Sequence, residues 1–344
     1  MLTIYSDDHA VHHARVELAE GEMRPAVEIP ARAHTILERV HACGLGEVKP
    51  PTDHGLAPLE RVHTRPYLRF LESAWGAWRA EHGEVDAFPI IWVVRGMRPI
   101  EPSRIDGRIG YYAGDAGTPI TAGTWRAARA SANVALTGLD AVLGGEHSVF
   151  SLCRPPGHHA SQDVYSGYCY LNNAAIAAQA ALDRGAGKVA ILDIDYHHGN
   201  GTQNIFYERD DVLFVSIHAD PDDEYPYHLG YADERGAGAG EGHNLNLPLS
   251  AGIEFSAYRE ALAEACRAIA DAGAELLVVS LGADTFKEDP ISRFRLDTGD
   301  FPRVGEMLAS IGAPTLFVME GGYAVSALGQ NVVNVLEGFQ SASR

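Results

Sequence analysis

Short apolar runs that alternate with helical patterns are the feature of this sequence that most constrains its fold. Between residues 147 and 319, five runs have the length and composition of buried strands, and helical patterns separate most of them. Strands and helices in alternation favour a parallel sheet that is covered by helices on both faces. We therefore predict an α/β fold with a mainly parallel sheet. The runs are His147–Leu152, Val189–Leu192, Val212–Ile217, Leu276–Leu281 and Leu316–Met319.

The length and composition of the chain favour one large globular domain. Its 344 residues are 46% hydrophobic, which provides enough apolar side chains for a sizeable core. The sequence contains no internal repeat, low-complexity tract or convincing linker, so we predict a single domain over residues 1–344. Its formal charge of −19 argues against nucleic acid and anionic membranes as partners, and it favours cationic partners or substrates.

The cysteine spacing and the first residues of the chain favour a cytoplasmic location. The four cysteines are widely separated and form no C-x-x-C pair, which is typical of free thiols in a reducing compartment. The start M-L-T-I-Y-S-D-D-H lacks the basic and apolar regions of a signal peptide. No apolar run approaches the length of a membrane span, so we expect no membrane partner.

One segment departs from the regular pattern, and we call residues 83–119 the insert. Prolines and glycines punctuate it, and a loop this long within a domain usually has a function. Its residues Pro89–Val94 read P-I-I-W-V-V and form an apolar island. Such an island is expected to pack against something, for example a second subunit. The insert also carries three acids, Glu101, Asp106 and Asp115.

Polar residues capable of chemistry follow the ends of the predicted strands. In open α/β sheets, ligands bind at the carboxyl ends of the strands. Five predicted strands end in such residues, so we expect these side chains to converge on one edge of the sheet. The residues are His158, His159, Asp193, Asp195, His197, Ser216, His218, Asp284 and Tyr323.

The end of the Val189–Leu192 run predicts a metal site. Asp193, Asp195 and His197 alternate, and alternate side chains of an extended segment point to one face. A divalent cation would compensate this crowding, with Asp195 and His197 as oxygen and nitrogen ligands. Asp284 is the natural third ligand, which leaves positions for water and substrate as in catalytic zinc sites. A magnesium site of a phosphatase and a solvated strand end with stray acids remain alternatives, as does a capping role for Asp284.

Two adjacent histidines and a tyrosine predict acid–base chemistry beside the metal. His158 and His159 follow P-P-G, a rigid turn that can aim both rings. Asp193 could orient one ring through its Nδ1 atom, and Asn200 the other. Tyr323 follows two glycines and could donate to an oxygen that gains charge. These groups suit metal-assisted hydrolysis of an amide, in which the metal activates water and polarises the carbonyl.

Four motifs, taken in order and spacing, resemble the histone deacetylase family. They are R-P-P-G-H-H, D-I-D-Y-H-H-G-N-G-T, S-L-G-A-D and E-G-G-Y, and the resemblance covers most of the chain. The acidic N-terminal region and the insert look most like the bacterial acetylpolyamine amidohydrolase branch. The resemblance implies an arginase–deacetylase fold, a three-layer α/β/α sandwich with a multi-stranded parallel sheet. It also implies an insert that narrows the tunnel to the metal and forms the interface of a homodimer.

Matched position by position, the resemblance implies roles for the residues at the strand ends. Asp195, His197 and Asp284 would bind one Zn²⁺ per subunit, with Fe²⁺ as the alternative. His159 would be the general base, His158 an electrostatic helper or acid, and Tyr323 the group that stabilises the oxyanion.

The resemblance also implies a structural K⁺ site and a substrate tunnel. The K⁺ ligands would be Ser216 and the peptide oxygens of Asp193, Asp195 and His197. Gly167, Tyr168 and Tyr225 would line the tunnel. Asp106 and Gly117 stand where the best-known polyamine enzymes carry glutamates. The candidates for contact with a distant ammonium group are Asp106, Asp115 and Glu101, and the alternative is that none of them makes this contact.

The function predicted from the sequence is release of acetate from an acetylated diamine or polyamine, such as acetylputrescine or acetylcadaverine. Asn200 stands where many histone-directed members have Asp, and a neutral partner should keep His159 unprotonated. A protein acetyl-lysine deacetylase is the nearest alternative, and an arginase-like ureohydrolase is disfavoured because G-A-D-T-F lacks a second acid two residues after Asp284. A metal-holding sensor of acetylated amines is the non-enzymatic alternative.

Overall fold

Eight parallel strands form the central sheet, and two further strands form a separate hairpin. The computed structural model describes residues 1–94 and 96–343. The strands are β1 (Leu2–Ile4), β2 (Val16–Ala19), β3 (Glu22–Pro25), β4 (Val48–Lys49), β5 (Ser148–Ser151), β6 (Val189–Asp193), β7 (Val212–Ala219), β8 (Asn244–Leu249), β9 (Leu276–Leu281) and β10 (Thr315–Met319). The order across the sheet is β4-β1-β5-β10-β9-β6-β7-β8, and every neighbouring pair is parallel.

Helices cover both faces of this sheet. They are α1 (Ala31–Cys43), α2 (Arg65–His82), α3 (Ile105–Tyr111), α4 (Thr124–Leu143), α5 (Asn173–Asp183), α6 (Asn200–Phe206), α7 (Phe255–Ala272), α8 (Phe301–Ala309) and α9 (Val325–Ala342). Local sequence explains several of their ends. Thr64 accepts the N–H of Tyr67 at the start of α2, as an N-cap does, and Gly44 closes α1 in a left-handed conformation.

The two faces bury two separate cores because strand side chains alternate. Val189 and Ile191 of β6 face the core built with α2, α4 and α5. Ala190 and Leu192 face the opposite core, which contains residues of α1, α7, α8 and α9. All four side chains are fully buried, as expected for a parallel strand covered on both sides.

The predicted α/β fold with a parallel sheet covered on both faces is confirmed. The five predicted strands between residues 147 and 319 all form, as β5, β6, β7, β9 and β10, within two residues of their predicted bounds at either end. The last helix is longer than predicted: the pattern at Val332–Phe339 is the second half of α9.

Several elements were not predicted. Strand β8 reads N-L-N-L-P-L, and its buried Asn244 and Asn246 donate to the side-chain oxygen of Gln203. Inward asparagines and a proline obscure the strand pattern, and β8 is an edge strand, where proline is tolerated. The β2–β3 hairpin turns at Glu20 and Gly21, both with positive φ, without the Asn-Gly signal of such turns.

The insert is only partly irregular. It contains α3, and its two ends meet where Ala87 and Ile120 pair as an antiparallel bridge. The apolar island lies on the surface: Pro89 is buried, but the side chains from Ile90 to Val94 are exposed, with Ile90 at 77% and Val94 at 60%. Arg95 lies outside the described residues. Over residues 1–94 and 96–343, no helix has both the length and the apolar character needed to cross a membrane.

Close packing between strand β10 and helix α4 predicts a large cost for truncation of Leu316. This side chain is fully buried against α4, where a Cβ on Gly138 would lie only 2.8 Å from it. We expect Leu316→Ala to lower the free energy of unfolding by about 2–5 kcal/mol, measured by denaturant titration of metal-free protein. Leu143→Ala is the matched control, because Leu143 ends α4 with 47% exposure and should cost less than about 1 kcal/mol. Equal losses in the two variants would contradict this packing.

Candidate metal centre and active site

Four adjacent central strands bring the reactive side chains to one edge of the sheet. The loops after β5, β10, β9 and β6 carry the histidine pair, Tyr323, Asp284 and the Asp195–His197 pair. The strands are parallel and neighbouring, so their carboxyl ends lie side by side. The fold thereby gathers groups that are up to 165 positions apart in the chain, from His158 to Tyr323.

Three predicted metal ligands meet at one point. The side chains of Asp195, His197 and Asp284 offer ligand atoms that all lie within 4.8 Å of one another, and all three residues are buried. The Nδ1 atom of His197 lies 3.3 Å from a carboxylate oxygen of Asp195 and 3.2 Å from one of Asp284. This one-nitrogen, two-carboxylate set leaves room for further ligands, as catalytic zinc sites do.

Backbone N–H groups fix the orientation of both carboxylates. Asp195 accepts the N–H of Gly321 at 2.8 Å and the N–H of His197 at 2.9 Å. Asp284 accepts the N–H of Tyr196 at 2.8 Å. Each ligand is therefore held in place by groups that surround the metal position, which is the arrangement that well-built metal sites use.

The charges of this cluster require compensation. Burial, together with the nearby charge of Asp195, raises the pKa of Asp284 to about 7. Burial would lower the pKa of His197, but hydrogen bonds to Asp195 and Asp284 raise it to about 10. Without a cation the site thus draws protons to balance its charge. A divalent metal removes this imbalance, so the donor set fits a metal in both its chemistry and its geometry.

A second buried group of potential ligands lies beside the first. It consists of His158, Cys169 and Glu320, whose ligand atoms also lie within 4.8 Å of one another. Burial and the charge of Glu320 raise the pKa of the Cys169 thiol well above its ordinary value. Since a metal binds the thiolate, and His158 is already paired with Asp193 at 3.0 Å, this group is the poorer metal site.

The two adjacent histidines are held by different partners. His158 donates through Nδ1 to the Asp193 carboxylate at 3.0 Å, whereas the Nδ1 atom of His159 bonds the side-chain oxygen of Asn200 at 2.7 Å. The two rings lie 3.9 Å apart between centroids. One ring therefore has a charged partner and the other a neutral one.

These partners drive the two pKa values in opposite directions. Burial would lower the pKa of His158, but the charges of Asp193 and Asp195 raise it to about 10. Burial lowers the pKa of His159 well below its ordinary value, and the neighbouring His158 and His197 lower it further. At neutral pH, His158 is therefore protonated and His159 is free to accept a proton.

A cavity of about 450 Å³ leads from the surface to this site. His159, His197 and Tyr323 lie at its inner end, and Tyr168, Tyr225, Tyr227 and Ile291 line its walls. Gly167 also lines it, and a Cβ there would lie only 2.1 Å from the His159 ring. Together with a φ of +53°, this close approach requires glycine at that position.

The acids predicted for the substrate lie in different places. Asp115 lines the cavity, but its carboxylate already accepts hydrogen bonds from Gly117, Thr118, Gly167 and Tyr225. Asp106 lies outside the cavity lining of its own subunit and pairs with His82 and Arg104. Glu101 pairs with Arg108. Asp115 thus organises the cavity wall, and Asp106 and Glu101 are engaged elsewhere.

Glu17 is a buried acid of the cavity wall that was not predicted from the sequence. It lies in β2, lines the cavity and is only 4% exposed. Its carboxylate accepts the hydroxyl of Tyr168 and the N–H of Val27, both at 3.2 Å. Two accepted bonds leave part of its acceptor capacity free. The alternating pattern of Val16–Ala19 was the available signal, but the hairpin was not predicted.

The residues implied in potassium binding also lie together. Asp193 of β6 and Ser216 of β7 are register partners, and Asp195 and His197 follow in the same segment as Asp193. The Ser216 hydroxyl bonds the Nδ1 atom of His218 at 2.8 Å. The described structure places all four residues in one buried region.

A buried ion cluster lies behind the site and was not predicted from the sequence. Glu28 bonds Arg154 at 2.8 and 2.9 Å and Arg32 at 2.9 Å. Burial would raise the pKa of Glu28, but the two arginines lower it to about 2. Arg154 begins the turn that leads to the histidine pair, and Arg32 bonds the carbonyl oxygens of Glu320 and Gly322 at 2.6 Å. The cluster therefore links two of the site's loops.

Comparisons with known proteins identify the family of this chain. Residues 26–339 match the family described as the histone deacetylase domain. The chain is 60% identical to acetylpolyamine amidohydrolase 2 of Pseudomonas aeruginosa over 344 residues, all of both chains. It is 49% identical to the acetylpolyamine amidohydrolase of Mycoplana ramosa over 338 residues, 98% of this chain and 99% of that one. The crystal structure of acetylpolyamine aminohydrolase from Burkholderia pseudomallei superposes with a TM-score of 0.95 at 41% identity, covering 99% of both chains.

The geometry of the three ligands predicts a specific loss of metal. Asp195→Ala removes one of the three predicted ligands, so zinc affinity should fall by more than about 100-fold. Loss of a residue that only bonds a metal ligand typically costs less than this. Zinc per chain, measured by mass spectrometry after dialysis, should fall from about one to near zero. Asp211→Ala, which removes a carboxylate paired with Arg209, is the control. Full zinc content in folded Asp195→Ala would contradict the assignment.

Proposed function

Because the chain belongs to the histone deacetylase family and is an amidohydrolase of the deacetylase class, we propose that it releases acetate from acetylated diamines or polyamines. Acetylputrescine and acetylcadaverine are the proposed substrates. The observation that carries this proposal is the cavity, which has the metal-binding group at its inner end and the buried Glu17 carboxylate in its wall. Such a cavity can receive an acetamide at one end and a cationic amine at the other.

We assign the metal as one Zn²⁺ per subunit, held by Asp195, His197 and Asp284. Fe²⁺ accepts the same oxygen and nitrogen donors and is the alternative. When bound, the metal supplies Lewis-acid polarisation of the amide carbonyl and a water of lowered pKa. The N–H groups that fix both carboxylates support this assignment, since they keep the free ligand oxygens directed at one point.

His159 acts as the general base in this proposal, and His158 supplies a positive charge. The lowered pKa of His159 leaves its imidazole ready to take a proton from the attacking water. The raised pKa of His158 keeps that ring protonated, so it stabilises the negative charge that develops nearby. Asn200 contributes by being neutral, because an Asp there would raise the pKa of His159.

Tyr323 donates its hydroxyl to the oxyanion of the tetrahedral intermediate. Its ring lies in the cavity wall and packs edge-to-face on Tyr168, with centroids 5.7 Å apart. Burial raises the pKa of its phenol well above the ordinary value, so the hydroxyl keeps its proton. A phenol that keeps its proton is the donor that a developing oxyanion requires.

Glu17 receives the distant ammonium group. Its carboxylate is buried in the cavity wall, and its partners are a hydroxyl and an N–H rather than a cation. An ammonium group placed there would satisfy a carboxylate that is otherwise costly to bury. This selects small cationic amides over neutral ones, in keeping with the net charge of −19.

The shape of the cavity mouth favours small substrates over proteins. The β2–β3 turn and Asp115–Thr118 of the insert both line the cavity. These two segments narrow the entrance through which an acetyl-lysine of a folded protein would have to reach the site. Protein deacetylation is therefore the less favoured alternative. The opposed pKa values of the histidine pair favour an enzyme over a sensor, because binding alone requires no proton acceptor.

Three further assignments complete the proposal. A structural K⁺ is bound by Ser216 and the peptide oxygens of Asp193, Asp195 and His197. The enzyme forms a homodimer through the apolar island of the insert. The four cysteines are free thiols, three of them buried, which suits a cytoplasmic enzyme.

A comparison of three substrates tests the proposed function. Wild-type enzyme should hydrolyse acetylputrescine at least about 10-fold more efficiently than N-butylacetamide, which lacks the amine, because a buried charged hydrogen bond contributes roughly 1.5–3 kcal/mol. Glu17→Gln should reduce this preference and leave N-butylacetamide hydrolysis unchanged. Glu20→Gln is the control, since Glu20 lies at the exposed rim and pairs with Arg24. A faster rate on an acetyl-lysine peptide would favour the protein deacetylase, and no turnover by zinc-loaded enzyme would favour the sensor.

The exposed apolar island predicts a dimer that charge can disrupt. Ile90 and Val94 are 77% and 60% exposed, so Ile90→Asp/Val94→Asp should leave the fold of each subunit intact. We expect the wild type to have the mass of a dimer and the variant that of a monomer by light scattering. Val85→Asp, at another exposed apolar position of the insert, should remain dimeric. A monomeric wild type would refute the proposed interface.

A further inference from the structure

The turn that carries Tyr323 contains two glycines, so its backbone conformation depends on the groups that surround it. Gly321 and Gly322 precede the tyrosine, and Gly322 has a φ of +122°, which side chains other than glycine rarely adopt. Within the described part of the chain, the Tyr323 hydroxyl has no hydrogen-bond partner. The direction of the ring therefore depends on what holds the backbone on either side of it.

Two groups already described hold the N-terminal side of this turn. Asp195 accepts the N–H of Gly321, and Arg32 donates to the carbonyl oxygen of Gly322. The Arg32 guanidinium also lies over the Tyr323 ring, 4.6 Å from its centroid. These contacts fix the glycines and one ring face, but they do not bond the backbone of Tyr323 itself.

Asp289 bonds the backbone of Tyr323 directly. One oxygen of its carboxylate accepts the N–H of Tyr323 at 2.6 Å and the N–H of Ala324 at 3.2 Å. The other oxygen accepts the N–H of Ile291 at 3.2 Å, and Ile291 lines the cavity. Asp289 is 6% exposed. A single buried carboxylate thus joins the tyrosine turn to the cavity wall.

Three converging N–H donors require a group that only accepts hydrogen bonds. An ionised carboxylate is such a group, with two oxygens and no donor. An asparagine has nearly the same shape, but its NH₂ would face either the Ile291 N–H or the N–H pair of Tyr323 and Ala324. Either the N–H of Ile291 or the N–H groups of Tyr323 and Ala324 would then lose their acceptor. They would instead face an NH₂ group, which is a repulsive contact.

We propose that Asp289 is a positioning residue, whose carboxylate holds the backbone of Tyr323 so that the tyrosine hydroxyl meets the oxyanion. The inference rests on the oxyanion role proposed above for Tyr323. Asp289 lies in the same loop as the metal ligand Asp284, five residues further on. One loop therefore carries a proposed metal ligand, Asp284, and the carboxylate that bonds the backbone of Tyr323.

A double-mutant cycle between Asp289→Asn and Tyr323→Phe tests this role. We would measure kcat and KM of zinc-loaded enzymes on acetylputrescine and on trifluoroacetylputrescine, whose activated amide keeps slow rates measurable. Asp289→Asn should lower kcat by about 10- to 100-fold, the effect of misplacing a catalytic group by about 1 Å. Its KM should change by less than about threefold, since the loss falls on the transition state.

The cycle distinguishes a loss of Tyr323 positioning from a general disturbance of the active site. If Asp289 acts through Tyr323, Asp289→Asn should slow the Tyr323→Phe enzyme by less than about threefold, because the hydroxyl it positions is already absent. Equal slowing in both backgrounds would overturn the inference. So would wild-type kcat in Asp289→Asn when Tyr323→Phe is severely impaired. Near-normal kcat in Tyr323→Phe would instead overturn the proposed role of the tyrosine.

Two further variants keep the test decisive. Asp300→Asn is the control, because Asp300 accepts the N–H of Asp297 at 2.9 Å in the same loop, and neither residue lines the cavity. It should keep wild-type kcat. If Asp289→Asn fails to fold, Asp289→Ser replaces it, since a smaller hydroxyl still accepts one N–H and admits water to the others. Zinc content and melting temperature should stay near wild-type in every variant compared.

Discussion

The site depends on two carboxylates that are buried side by side. Asp195 and Asp284 are fully buried, and their ligand oxygens share the Nδ1 atom of a single histidine, His197. Two like charges in such a place repel each other and lose their hydration, so they persist only with a strong compensating charge. A divalent metal would provide that charge. Backbone N–H groups hold the two carboxylates in place, and the loops of four neighbouring strands bring them together with the histidine pair and Tyr323.

The charges around the two histidines shift their pKa values in opposite directions. His158 has an anionic partner, Asp193, and remains protonated, whereas His159 has a neutral partner, Asn200, and remains free to accept a proton. Two adjacent histidines thus have pKa values shifted in opposite directions, and their side-chain partners differ in charge. Environments that drive the pKa values of paired groups apart are a general sign of acid–base chemistry.

The sequence predicted the parts of the structure that local pattern controls. The buried parallel strands are continuous apolar runs, and polar residues mark their ends, so both the sheet and the edge at which these polar residues gather could be anticipated. Glu17 was missed because its hairpin lacks a strong turn signal. The substrate-contacting acid was predicted in the insert, and one candidate there, Asp106, pairs with His82 and Arg104. Asp289 and Arg154 were missed because the Tyr323 backbone and the Glu28 carboxylate that they bond are more than 30 positions away in the chain, and no local pattern reports such contacts. Glu28 and Arg32 stand four residues apart, but this spacing alone does not indicate that the pair is buried.

The central claim is that one cavity holds a metal at its inner end and an ammonium group at Glu17. The most direct test is a crystal structure of zinc-loaded Tyr323→Phe enzyme with acetylputrescine, with anomalous data at the zinc edge. One anomalous peak between Asp195, His197 and Asp284, with the substrate amine within hydrogen-bond distance of Glu17, would support the claim. Zinc at the neighbouring His158, Cys169 and Glu320 group, or an amine directed away from Glu17, would contradict it.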